Sequence, residues 1–333
     1  MPQLYCLGEI LVDIQCETAR ANPQAFVFPL AAFAGGAPAN VAVAAARFGA
    51  SASLCGPISR DALGLFLRQC MVQANVDLRH AREVSAPTAI AWITLDAQGD
   101  RSFVFARDGS ADLELTELDV AAIEFGVGDI LHVASNSLTH AQPARATMSA
   151  LQRAREHGVT TSMDLNLRPG LWPNGEPSFE TIYAAARLAC VLKAEREEWN
   201  WLCARDGEAA VLNDLWSQGC HVIFVTAGGD RVTCISPSFR LCLMPPRVEV
   251  RDTTGAGDAF CGAFLSELIF SRDEGILRKI SVDRHACEEV AKIAISAGAC
   301  CVQKNGAMAS LPTRQEALDL LERSDWEHAH ERS

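Results

Sequence analysis

Short β-branched and apolar runs alternate with longer stretches of helical spacing along this 333-residue chain, and that alternation limits the fold more than any other feature. The runs YCLGEILV (5–12), DILHVAS (129–135), VTTSMDL (159–165), CVLK (190–193) and HVIFVTA (221–227) read as strands, while 142–157 and 207–218 carry helical periodicity. A strand that returns through a helix lies parallel to its predecessor. The expected architecture is therefore α/β with a mostly parallel central sheet, and ligands of such sheets sit beyond the strand C-termini.

One stretch breaks the rhythm. TAIAWITLDAQGDRSFVFA (88–106) is two alternating strands around the turn Ala97-Gln98-Gly99-Asp100, an antiparallel hairpin expected to stand apart as a lid or dimer surface, or else to edge the main sheet. The uncharged span 21–46 is long enough to cross a bilayer, but Pro23, Pro29, Gly35, Gly36, Pro38 and Asn40 interrupt it. It reads as strand, glycine turn and buried helix.

Composition narrows the function. A hydrophobic content of 49% suits a soluble enzyme, and a formal charge of −12 repels polyanions, which excludes nucleic acid and anionic membrane as partners. Thirteen cysteines, odd in number, are scattered from Cys6 to Cys301 without a C-x-x-C pair, as expected of buried thiols in a reducing cytosol. The start MPQLYCLGEILVD carries Glu9 and Asp13 where a signal peptide needs a basic start and an apolar run, so the expected location is cytoplasmic. The tail WEHAHERS is polar, and its His328 and His330 read as a frayed end.

The stretch RDTTGAGDAFCGAF (251–264) carries the strongest chemistry. Backbone N–H groups of Gly255, Ala256 and Gly257, bare of bulky side chains and joined to a helix N-terminus, form an anion cradle that fits a phosphate. From Ala259 onward Phe260, Phe264 and Leu268, with Cys261, Leu265 and Ile269 beside them, make the helix apolar nearly all round, hence buried. Asp258 then has two readings: an N-cap, or a general base beside a transferring phosphoryl group. A P-loop is absent, since no Gly-Lys pair exists, and the Gly126-Val127-Gly128 match lacks the third glycine of a dinucleotide site.

DTTGAGDAF (252–260) resembles the C-terminal signature of the ribokinase-like sugar kinases, the phosphofructokinase B family, and AGGAPANVAVAAARFG (34–49) resembles its N-terminal signature. GEILVD (8–13), RSFVFARDGSAD (101–112) and DLNLRPGLW (164–172) follow in family order, and the wording is closest to the bacterial fructokinase group. The resemblance spans about residues 4–322. It implies a ribokinase-like three-layer sandwich with a small β-sheet lid: a single kinase domain over 1–325, the lid drawn from 14–34 and 85–110, and a flexible tail at 326–333.

It also implies roles. Asp258 becomes the catalytic base and Gly255 to Asp258 the anion hole, while Asp13, Gly35, Gly36 and Asn40 hold sugar hydroxyls, with Arg168 and, from the lid, Arg107. Lys193, Thr226 and Gly228 surround ATP, with Gly255 and Gly257 at its phosphates and Asn305 and Gly306 at the adenine end. Asp252, Thr254, Gly306 and Ser310 match a monovalent cation loop, so K⁺ is implied beside Mg²⁺, the latter held by Glu198 through water. Three positions depart from the family pattern: Glu195 replaces an Asn three residues before Glu198, Arg231 ends the T-x-G-x-x-G stretch, and Ser59 replaces a glycine in G-x-x-G-x-D.

The expected activity is ATP-dependent phosphorylation of a sugar, D-fructose to fructose 6-phosphate, by a homodimer paired through its lids. The alternatives are a 2-keto-3-deoxygluconate or riboside kinase of the same family, with Arg107 available to a substrate carboxylate, and a non-catalytic sugar or nucleotide sensor.

Overall fold

The computed structural model describes residues 2–16, 30–95, 101–273 and 275–326. In chain order the first half contains β1 (Leu4–Leu7), β2 (Leu11–Cys16), β3 (Leu30–Gly35), α1 (Ala37–Phe48), β4 (Ala52–Cys55), β5 (Ile58–Ser59) and α2 (Ala62–Gln73). Then come β6 (Glu83–Val84), β7 (Ile90–Leu95), β8 (Arg101–Ala106), α3 (Glu117–Ala121), β9 (Ile130–Ala134), α4 (Ala141–Glu156) and β10 (Thr160–Asp164). The second half runs α5 (Phe179–Ala186), β11 (Val191–Glu195), α6 (Arg196–Cys203), α7 (Glu208–Ser217), β12 (Val222–Thr226), β13 (Val232–Ile235) and β14 (Arg240–Leu243). It closes with α8 (Ala256–Ser271), α9 (Ile276–Val282), α10 (Arg284–Cys301), α11 (Ala307–Ser310) and α12 (Arg314–Arg323).

Eight strands form the central sheet in the order β14-β13-β12-β11-β10-β9-β1-β4. From β12 to β4 every pairing is parallel, and only the β12-β13-β14 edge is antiparallel. One face packs Leu4, Leu54, Val222 and Phe224 against the apolar sides of α1, α8 and α10, and the other packs Leu131, Met163 and Leu192 against α4 to α7. This is the expected three-layer arrangement. Phe224 holds the Phe260 and Phe264 rings of α8 at centroid distances of 5.1 and 4.7 Å. Each such fully buried ring stabilises the fold by roughly 1.5–3 kcal/mol, which fixes α8 rigidly under the sheet's C-terminal rim.

The hairpin belongs to a second sheet of order β3-β2-β7-β8, not to an edge of the first. Its strands pair antiparallel from Ile90↔Ala106 to Leu95↔Arg101, and β2 joins it parallel through Val12↔Ile90. The expected turn 97–100 lies outside the described residues, as do most of the 14–34 segment between β2 and β3 and the tail histidines.

YCLGEILV, expected as one strand, is two strands in two different sheets. Gly8 stands between them at φ +144°, a backbone angle that L side chains rarely adopt, and a Cβ there would lie 2.7 Å from Pro38 Cγ. The apolar run continues through the break, so hydrophobicity alone did not reveal it. Twelve of the thirteen cysteines, those whose side chains are described, are free, and among the described residues no helix is long and apolar enough to cross a membrane.

Candidate active site

Strands β10, β11 and β12 end side by side, with Asp164 opposite Lys193 and Glu195 opposite Thr226. Over these ends a cleft of about 1240 Å³ opens between the two sheets, and the N-terminus of α8 forms one wall. Asp13, Gly36, Asn40, Arg107, Arg168, Lys193, Glu198, Thr226 and Gly228 line it together with the whole of Gly255–Asp258. Residues as far apart in sequence as Asp13 and Asp258 thus meet in one cavity.

Gly255 is the N-cap of α8, left-handed at φ 84°, and no side chain caps the helix. Asp258, the third residue of the first turn, is therefore not the N-cap, and its carboxylate is available for something else. Asn40 Nδ2, from the first turn of α1, donates to Asp258 Oδ2 at 2.8 Å. The carboxylate can be reached from the cleft but is closely surrounded by protein. Burial, helped by the charge of Asp164 and opposed by the Asn40 hydrogen bond, Lys193 and Arg168, pushes its pKa up to about 7. It exchanges a proton near neutrality, as a general base must.

Lys193 is buried and bonds Asp164 Oδ2 through Nζ at 2.9 Å. Burial alone would lower its pKa, but Asp164 outweighs that and the net shift is upward, so the ammonium stays charged. It lies directly under the cradle: a Cβ on Gly257 would come within 2.7 Å of Nζ. Asp164 Oδ1 has no partner among the described residues.

Glu198 accepts from the Leu167 amide at 2.6 Å through Oε1 and from the Glu195 amide at 2.8 Å through Oε2. Glu195 in turn accepts from the Glu197 amide at 2.7 Å, so the residue that departs from the family pattern is the N-cap of α6, half of a capping box. Burial and the Asp164 charge raise the Glu198 pKa. Arg168, 45% exposed at its side chain, approaches Glu198 at 4.0 Å from the cleft rim.

Some expected residues have different surroundings. Arg107 directly follows β8 and is buried, its guanidinium bound to Asp112 at 2.6 Å, Thr139 Oγ1 at 2.7 Å and the Asn136 carbonyl at 2.9 Å. Asp13 sits within β2 and is buried, and a Cβ at Gly35 would collide with its carboxylate. Asn305 is exposed, and neither it nor Gly306 lines the cleft. Gly306 belongs instead to a cluster behind the cradle, where Asp252 accepts from the Thr254 amide at 2.7 Å and the Gly306 amide at 2.9 Å. Ser310 reaches that cluster through Cys301, 2.9 Å from its hydroxyl, whose thiol meets the Thr254 carbonyl. The four residues expected around a monovalent cation do come together. Ser59 is buried in β5, away from the cleft lining, where its hydroxyl accepts from the Asp61 amide.

Sequence reasoning missed Glu9, Asn136 and a role for Asp164. Each lines the cleft, and each keeps a buried oxygen without a partner among the described residues. Asp164 carried the clearest available signal, a carboxylate at the end of a strand two places before Asn166.

A three-layer α/β fold whose strand ends carry an anion cradle and a proton-accepting carboxylate defines the class, a phosphotransferase. The family model for pfkB family carbohydrate kinases matches residues 1–314, and the chain belongs to that family. Fructokinase-1 of Oryza sativa subsp. japonica is 36% identical over 323 residues, covering 95% of this chain and 96% of the rice protein. The structure of a fructokinase with bound ATP from Xylella fastidiosa superposes with a TM-score of 0.89 at 32% identity, covering 96% of this chain and 98% of the other. The Vibrio cholerae O395 fructokinase in its fructose, ADP and calcium ion bound form gives a TM-score of 0.81 at 27% identity, with 96% and 99% coverage.

Proposed function

We propose that this kinase transfers the γ-phosphoryl group of ATP to a hydroxyl of D-fructose, giving fructose 6-phosphate and ADP in the cytoplasm. The observation that carries the reading is Asp258: a carboxylate with its pKa near 7, held by Asn40, one residue beyond the bare cradle Gly255-Ala256-Gly257. The attacking hydroxyl gives its proton to Asp258 as its oxygen bonds to phosphorus, and the bond to the ADP oxygen breaks. Cradle amides and the buried Lys193 charge oppose the negative charge on the transferring group. Asp13, Gly36, Asn40 and Arg168 are the sugar's side of the cleft, with Gly35 packed behind the Asp13 carboxylate, and Lys193, Thr226 and Gly228 are the nucleotide's. The position of Asn305 and Gly306 lends no support to an adenine contact.

Asp164, with its unpartnered Oδ1, and Glu198 fit a divalent cation that would neutralise phosphate charge, since Mg²⁺ takes one or two carboxylates and keeps its waters. Asp252, Thr254, Gly306 and Ser310 would hold K⁺ behind the cradle, where its field adds to that of the helix end. Fructose is favoured because the rice, Xylella and Vibrio relatives are fructokinases.

The test is ADP release from ATP and Mg²⁺ with D-fructose, 2-keto-3-deoxygluconate, ribose and an aminoimidazole riboside. Fructose should give the highest kcat/KM, and replacing K⁺ by choline should lower the rate. No release with any of these acceptors overturns the kinase reading, and an unchanged rate in choline removes the cation.

A further inference from the structure

Asn136 follows β9 in a short turn, is 6% exposed, and lines the cleft. Its amide nitrogen donates to Glu9 Oε1 at 3.0 Å, and its backbone carbonyl accepts from Arg107 Nη2 at 2.9 Å. Glu9 lies just before β2 and Arg107 just after β8, so one residue of the main sheet grips the second sheet where the chain enters it and where it leaves. Each grip is itself braced. Glu9 Oε1 also accepts from the Ala37 amide at the start of α1, at 3.1 Å, and Arg107 is locked by Asp112 and Thr139.

The orientation of the Asn136 amide is set by this network. Glu9 offers a carboxylate acceptor, so the nitrogen must face it and Oδ1 must point the other way. Oδ1 is buried and has no partner among the described residues, and the same holds for Glu9 Oε2. A buried acceptor left unsatisfied is costly, by more than the net worth of the hydrogen bond it lacks. Both orphan atoms belong to residues that line the cleft together with Asp13 and Asn40, and the complement of an unpartnered amide oxygen is an O–H group.

We propose that Asn136 is a substrate-positioning residue: its Oδ1 accepts a hydroxyl of the bound sugar while its nitrogen and carbonyl hold both roots of the second sheet. Occupancy of the sugar site is thereby felt at the hinge of the lid. This rests on the sugar-kinase reading of the cleft and adds a contact that selects for a hydroxyl at one position of the acceptor.

The experiment compares wild type, Asn136→Leu and Asn136→Ala with D-fructose and its monodeoxy analogues, after wild type has been shown to phosphorylate fructose. Failure of wild type with fructose sinks the fructose reading of the cleft, whereas every other readout bears on Asn136 alone. In wild type one analogue should lose about tenfold or more in kcat/KM, the worth of one buried hydrogen bond. In both variants the KM for fructose should rise by about ten- to a hundredfold, the KM for ATP should stay within about twofold, and the penalty on that analogue should vanish. An unchanged fructose KM, or a penalty that persists in the variants, overturns the proposal. Should the variants not fold, hydrogen exchange on wild type decides: fructose should slow exchange around residues 9–12 and 105–111, the discriminated analogue should not, and equal protection by both overturns it.

Discussion

At the residue scale the decisive group is Asp258, because its carboxylate titrates where an enzyme works. A base must be ionised to act, so with a pKa of about 7 the kcat/KM for fructose should fall about tenfold per pH unit below that value. A flat profile from about pH 5.5 to 8.5 would show that Asp258 is not the base. The same shift has a stability consequence of opposite sign. An unfolded Asp loses its proton near pH 3.9 while the native one keeps it to about pH 7, so between those values rising pH destabilises the native state. Asp258→Asn should therefore abolish most turnover yet melt above wild type at pH 8, the gap closing toward pH 4. Retained turnover, or a lower melting point at pH 8, contradicts this.

At the scale of elements, the two-sheet architecture depends on how the chain leaves β1. Gly8 turns it from the central sheet into β2 at a backbone angle that a β-branched residue cannot adopt without strain. Gly8→Val should cost about 1–3 kcal/mol from that strain alone, seen as a lower urea midpoint, and its contact with Pro38 should add to the loss. A variant as stable as wild type would mean that the turn has another route. The helical periods of 142–157 and 207–218 became α4 and α7 almost to the residue, since a repeating apolar face is a local property of the chain. The β1–β2 break was hidden because both sides of it are apolar and only the angle at one glycine separates them.

For the whole molecule, β3 and β8 are the edges of the second sheet among the described residues, with Leu30 45% and Val104 62% exposed on them. Unpaired edges invite pairing with a second copy, and light scattering should give twice the 35.9 kDa chain mass. A monomer at micromolar concentration removes the lid dimer.

What the sequence determined by itself was everything that depends on near neighbours: the βα alternation, the buried helix after Ala259, the bare cradle and the order of the motifs. Tertiary structure alone decided that Asp258 is not a cap, because a cap and a base differ not in local sequence but in whether Gly255 already caps the helix and whether Asn40, far away along the chain, reaches the carboxylate. It decided likewise that Lys193 pairs with Asp164 across adjacent strands, that Arg107 is committed, and that Asn136 ties Glu9 to Arg107. Hydrogen bonds and desolvation act over a few ångströms of space, and spacing along the chain carries no record of which distant side chains will share that space.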